Sequence, residues 1–171
     1  MAVVRLLKFF LKYLYIILIV SALCVFAGFF AYDNAYLNIV VRDGMSARAE
    51  CILNNYDDET ETYKLNSLFS TNYVYNIFND EAAKFNDYEL INYRYSIKVG
   101  IAWVWPWSEK CELVVEERVV DLSLKYIGEG EEDKDNTPKW IDGKYKVSCV
   151  KKNGAWKIDR IELQEALAPV K

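Results

Sequence analysis

The chain contains no histidine. Proton transfer near neutral pH and metal ligation therefore fall to other side chains. By type, the candidates are carboxylates and tyrosines. Glu117 and Asp121 interrupt a run rich in β-branched residues from 111 to 126, and Tyr93, Tyr95 and Tyr145 stand on strand-like segments. A carboxylate can accept a proton and a tyrosine hydroxyl can hold a developing oxyanion. Glu116-Glu117-Arg118 also has a simpler reading, as a charged outer face or a local ion pair.

Three further groups stand out. Trp103, Trp105 and Trp107 recur at spacing two around Val104 and Pro106. They read either as the wide end of a core or as an exposed aromatic patch that docks a partner or touches a membrane surface. Pro106 favours a strand end or an edge, where such a patch is reachable. Of the four cysteines, Cys111 and Cys149 sit in strand-like segments and are the candidate disulfide pair; the alternative is buried, reduced thiols. The acidic stretch Glu129, Glu131, Glu132, Asp133 and Asp135 lacks the order of a calcium loop and reads as a solvated loop. No Gly-rich phosphate loop, nucleophile elbow or metalloprotease motif occurs, and no metal or cofactor is expected. A net charge of −4 argues against nucleic acid as partner.

The elements that position these residues divide sharply. Residues 1–32 carry Arg5, Lys8 and Lys12 and no acid, and Tyr13 to Tyr32 is an uncharged run of 20 residues. At about 1.5 Å per residue it spans about 30 Å, the hydrocarbon thickness of a bilayer. Phe9, Phe10, Tyr13 and Tyr15 bracket one end and Phe29, Phe30 and Tyr32 the other, as an interfacial aromatic belt does. A cleaved signal peptide would need small residues where Phe29-Phe30-Ala31-Tyr32 stands. A lipoprotein site would need a small residue in place of Leu23 before Cys24. The segment reads as an uncleaved membrane helix in contact with lipid. The basic flank places residues 1–12 in the cytoplasm and the rest outside, and a bacterial envelope is the simplest setting. Residues 33–171 hold 18 basic and 25 acidic side chains, a net −7.

Asp33 and Asn34 are capping types directly after the span. A helix is expected over 35–54 with a kink at Gly44, then a polar loop, a second helix over about 60–78 and a short turn near 80–85. Residues 91–107 alternate apolar and polar through one long strand bent at Gly100. Further strands are expected over 111–126, 140–151 and 156–163, with Asn153-Gly154 as a two-residue hairpin turn and a loose tail beyond about 164. The chain divides into 1–12, the span 13–32, an extracytoplasmic domain 33–164 and a tail 165–171. The fold class is α+β, a curved antiparallel sheet packed on N-terminal helices.

The closing segment, Gly143-Lys144-Tyr145-Lys146-Val147 through Asn153-Gly154-Ala155-Trp156-Lys157-Ile158-Asp159, resembles the final hairpin of the nuclear transport factor two-like superfamily. The helix–helix–strands order from about 35 to 164 is similar to the same superfamily. The resemblance implies a cone with a pocket between sheet and helices. Some members are isomerases or cyclases, others bind small molecules, and others are scaffolds. In an enzyme of this kind Glu117 or Asp121 would be the base and Tyr93, Tyr95 or Tyr145 the oxyanion donor. A membrane anchor before such a domain is similar to the inner-membrane assembly factors of type IV secretion and conjugation machines. The expectation is a non-enzymatic envelope scaffold or interaction protein that contacts protein partners or itself. The alternative is a ligand-binding or isomerase-like domain using the cone pocket.

Overall fold

A computed structural model describes residues 2–54, 59–76, 81–128 and 137–168. The polar turn expected at 55–58, the end of the second helix at 77–78 and the acidic stretch 129–136 lie outside the described residues.

Helix α1, Ala2–Asn54, runs unbroken for 53 residues, about 80 Å at the usual rise. The expected boundary at Asp33-Asn34 is overturned. Asn34 does not cap a new helix: its Nδ2 donates to the Phe30 carbonyl at 3.3 Å and its Oδ1 accepts from the Ala102 backbone N–H at 3.0 Å. The amide bonds back to the carbonyl one turn earlier and its oxygen is taken by Ala102, so the side chain caps no new helix start and the helix continues. From Leu7 onward α1 holds an 18-residue stretch long and apolar enough to cross a membrane, none of it buried. The second half buries Leu37, Val41, Met45, Arg48 and Ile52, spaced as one helical stripe. Gly44 lies inside this helix, where a Cβ would meet Ile158 Cδ1 at 2.5 Å. Its bareness lets helix and sheet close on each other.

The single helix expected over 60–78 is divided into α2, Glu59–Leu68, and α3, Thr71–Asn76. The division falls where the chain docks on the sheet: Phe69 bridges to Ile158, and the Ser70 N–H donates to the Ile158 carbonyl at 2.8 Å. A 3₁₀ turn, Ala82–Phe85, follows in the expected place.

The sheet is a four-stranded antiparallel meander of β1 (Tyr88–Val99), β2 (Lys110–Tyr126), β3 (Gly143–Lys152) and β4 (Ala155–Ala166). The fold is therefore α+β with an N-terminal helix. The expected strand 91–107 ends at Val99. At Gly100 the backbone crosses so close to β2 that a Cβ would stand 2.8 Å from the Val114 carbonyl oxygen. The inward phase also changes there. Tyr93, Tyr95, Ile97 and Val99 face the core, whereas Ile101, Trp103, Trp105 and Trp107 are exposed and Ala102 and Val104 are buried. A register irregularity between Leu90 and Arg94 likewise turns Ile91 outward. Trp140 precedes β3 rather than opening it, because pairing with β2 begins at Gly143. The strand β4 runs to Ala166, two residues into the expected loose tail, because Gly143 and Lys144 still offer it partners. Asn153 (φ 53°) and Gly154 (φ 81°) form the tight β3–β4 turn with two positive φ values. Helices cover one face of the sheet. The other is charged, with Glu116 paired to Lys98 and Arg118, and Lys146 paired to Glu112.

Candidate functional site

Two charges occupy positions that the apolar stripes reserve for the core. Arg48 falls between Met45 and Ile52 on the buried stripe of α1, and Glu117 between Val115 and Val119 on the inward face of β2. Glu117 is 0% exposed and Arg48 7%. Tyr95 of β1 donates its hydroxyl to Glu117 Oε1 at 2.8 Å. Arg48 Nη1 stands 3.5 Å from Glu117 Oε2, while its Nη2 and Nε hold Glu81 at 2.7 and 2.9 Å. The Arg48 guanidinium also lies over the Trp140 ring, 5.4 Å from its centroid.

Burial pushes the Glu117 carboxyl above the usual carboxylate range, with the Arg48 charge and the Tyr95 hydrogen bond opposing it. For Arg48, burial works against the charge, and Glu117 and Glu81 more than offset it. Burial raises Tyr95 far above an ordinary tyrosine, helped by the neighbouring Glu117 charge. Tyr73 and Tyr145 are pushed by burial up to about 12.

A cavity of about 230 Å³ lies beside this cluster, lined by Arg48, Tyr73, Glu81, Trp140 and Tyr145 among others. A broader groove of about 670 Å³ lies across the segment 139–142, with Val119, Leu122, Leu124 and Leu167 in its wall. Trp140 and Ile141 line both. Of the pocket residues expected from sequence, Tyr95 and Glu117 come together and Tyr145 lines the smaller cavity, its hydroxyl donating to the Ile141 carbonyl at 2.6 Å. Tyr93 is half-buried against the core. Asp121 is not brought to the cluster; at φ 59° it sits on the exposed side, paired with Arg94 at 2.9 Å. The charged-face reading holds for Glu116 and Arg118, which pair outside at 3.1 Å, while Glu117 turns inward.

Neither cavity is lined by Glu117, and both its oxygens are engaged. In this geometry Glu117 is a core lock that ties β2 to β1 through Tyr95 and to α1 through Arg48. Among the described residues, no group of three His, Cys, Asp or Glu is placed to hold a metal ion.

Arg48 and Glu81 were not singled out from the sequence, and Asn34 was expected only as a cap. A charge on the strict Leu37–Val41–Met45–Ile52 spacing is the signal that marks Arg48. Glu81 precedes a short turn and carries no such signal. Cys111 and Cys149 face each other directly in the β2–β3 register and are free thiols, raised by burial to about 11 and about 12.

Trp103, Trp105 and Trp107 lie apart from this cluster, packed on α1 at Phe26 and Phe30, about 27 Å or more along the helix from Arg48. Trp103 is 70% exposed, Trp105 42% and Trp107 72%. Trp103 packs on Phe30 at 5.1 Å between ring centroids, Trp105 and Trp107 on Phe26 at 5.5 and 6.2 Å, and Trp105 stacks on Trp107 at 5.4 Å. Comparison with known protein families, curated proteins and solved structures finds no match.

Proposed function

We propose that the chain is a single-pass envelope protein. Residues 13–32 cross the cytoplasmic membrane with residues 1–12 inside, and the α+β domain stands outside as a non-enzymatic scaffold or assembly module. It works through protein–protein contacts, including contacts between copies of itself. The observation that carries this reading is the continuity of α1: the helix that is bare over its apolar half becomes the core helix of the domain without a break. Such a rod fixes the domain's position above the bilayer, and tethering to a plane raises local concentration enough for weak interfaces to form. The engagement of Glu117 by Tyr95 and Arg48 supports a role without catalysis. Kinship with the nuclear transport factor two-like superfamily is part of the proposal, supported by the helices-then-meander order and the Asn153-Gly154 turn.

Photo-crosslinkers placed on the charged sheet face, at Glu112, Lys146 or Arg160, test it in native membranes. The expected result is a discrete adduct with the same protein from neighbouring positions. Adducts at none of them contradict the proposal.

A second reading has one observation in its favour. The Trp140 indole N–H is buried and has no hydrogen-bond partner among the described residues, beside the 230 Å³ cavity. An acceptor-bearing small ligand would satisfy it. Saturable binding lost in Trp140→Phe would establish this reading; unchanged binding would remove it.

A further inference from the structure

We infer that the loop 101–107 is a second membrane contact, a wedge of indoles seated in the lipid interface alongside α1. This rests on the reading of 13–32 as the span.

The indoles lie at a depth set by α1. Phe26 lies six positions inside Tyr32, the last uncharged residue of the span, hence about 9 Å below that end of the helix. Trp105 and Trp107 pack on Phe26, and Trp103 on Phe30 one turn above it. The loop therefore descends along the helix, turns at Pro106 where the Ser108 N–H donates to the Trp105 carbonyl at 2.9 Å, and climbs back into β2. Whatever depth the span gives Phe26, the indoles share.

Composition agrees with that depth. From Val99 to Ser108 no residue is charged, and Lys98, Glu109 and Lys110 close the stretch on either side. Ala102 and Val104 turn into the domain, while Ile101, Trp103 and Trp107 are exposed away from it. A water-facing loop has no reason to present indoles on its outer side. At a headgroup boundary an indole places its ring in the apolar layer and its N–H in the wet one. Interfacial elements typically sit about 5–10 Å into this boundary, which matches the position of Phe26. With the rod and the wedge both embedded, the domain has two fixed points and a defined tilt.

The test uses the full chain in liposomes of zwitterionic and anionic phospholipid carrying a nitroxide at the headgroup or on the upper acyl chain. Tryptophan emission should be quenched in the native chain. Quenching should fall at least about threefold when Trp103, Trp105 and Trp107 are all phenylalanine, which leaves only Trp140 and Trp156 emitting. Trp103→Phe and Trp107→Phe alone, each at an exposed position, should each remove part of it. Cys24, exposed on the span, reports the anchor separately through a membrane-impermeant maleimide. Cys24 shielded with loop quenching supports the inference. Cys24 shielded with equal quenching in native and triple variant overturns it and leaves the span intact. Cys24 modified in sealed liposomes overturns the span and the inference with it.

Discussion

Asn34 holds Ala102: the amide oxygen of one accepts the backbone N–H of the other at 3.0 Å. The bond ties the start of the aromatic loop to α1 two residues beyond the uncharged run that ends at Tyr32. It also gives a buried N–H its partner, since Ala102 is 2% exposed.

Asn34→Leu should cost about 1–3 kcal/mol, the usual penalty for an orphaned buried donor. Asn34→Asp, which keeps an acceptor oxygen, should recover most of the loss. Urea unfolding of the chain in detergent micelles, followed by tryptophan emission, measures both.

Arg48 and Glu117 should show the asymmetry of buried ion pairs. Arg48→Met strands a carboxylate in the core and should cost about 3–5 kcal/mol, whereas Arg48→Met with Glu117→Leu should be nearer to native. Tyr95→Phe should cost about 1–3 kcal/mol by removing the donor to Oε1. The pH dependence has a definite sign. The folded-state Glu117 carboxyl is raised above its ordinary 4.5, so its contribution is complete below that value and lost as pH rises through the folded-state pKa. Glu117→Gln should flatten this slope in a series of unfolding curves against pH.

Gly44→Ala sets two effects against each other. Helix propensity favours alanine by about 1 kcal/mol. The added Cβ meets Ile158 Cδ1 at 2.5 Å, and overpacking of a core costs about 1–3 kcal/mol. The net should be destabilising in the native background. In Ile158→Val, which lacks that methyl, the same substitution should stabilise. A double-mutant cycle on the unfolding midpoint reads the change of sign.

Thiol chemistry should be sharply divided. Cys51, Cys111 and Cys149 are buried and Cys24 is exposed. Thiols raised to about 11 and about 12 hold almost no thiolate at neutral pH. A lipid-soluble maleimide should modify Cys24 alone in the folded chain and all four after denaturation, read by mass spectrometry. Only two modified thiols after denaturation without reductant, Cys24 and Cys51, would show that Cys111 and Cys149 are bonded.

The strands were legible where local pattern and tertiary demand agree, as in the inward phase from Tyr93 to Val99 and the Asn153-Gly154 turn. They were illegible where a neighbour intervened. Gly100 marked a bend, but the alternation through 107 carried no mark of the phase reversal at that crossing, which sends three indoles outward. Asp33-Asn34 looked like a cap because capping residues are named for a side-chain chemistry that a distant segment, here Ala102, can use equally. The division between α2 and α3 depends on a contact between Phe69 and Ile158 that are 89 positions apart. The core lock was half visible. Glu117 and Tyr95 were candidates by type, but Arg48 lies 69 positions from Glu117, and only its place on the Leu37–Val41–Met45–Ile52 stripe turns it toward them.

The central claim is that one helix both crosses the membrane and builds the core of the outer domain. Its most direct test is the intact mass of the protein recovered from cell membranes after an alkaline wash. The account predicts a membrane-retained chain at the full 19.9 kDa, with residues 13–32 still attached. A soluble chain that begins near residue 33 would contradict it.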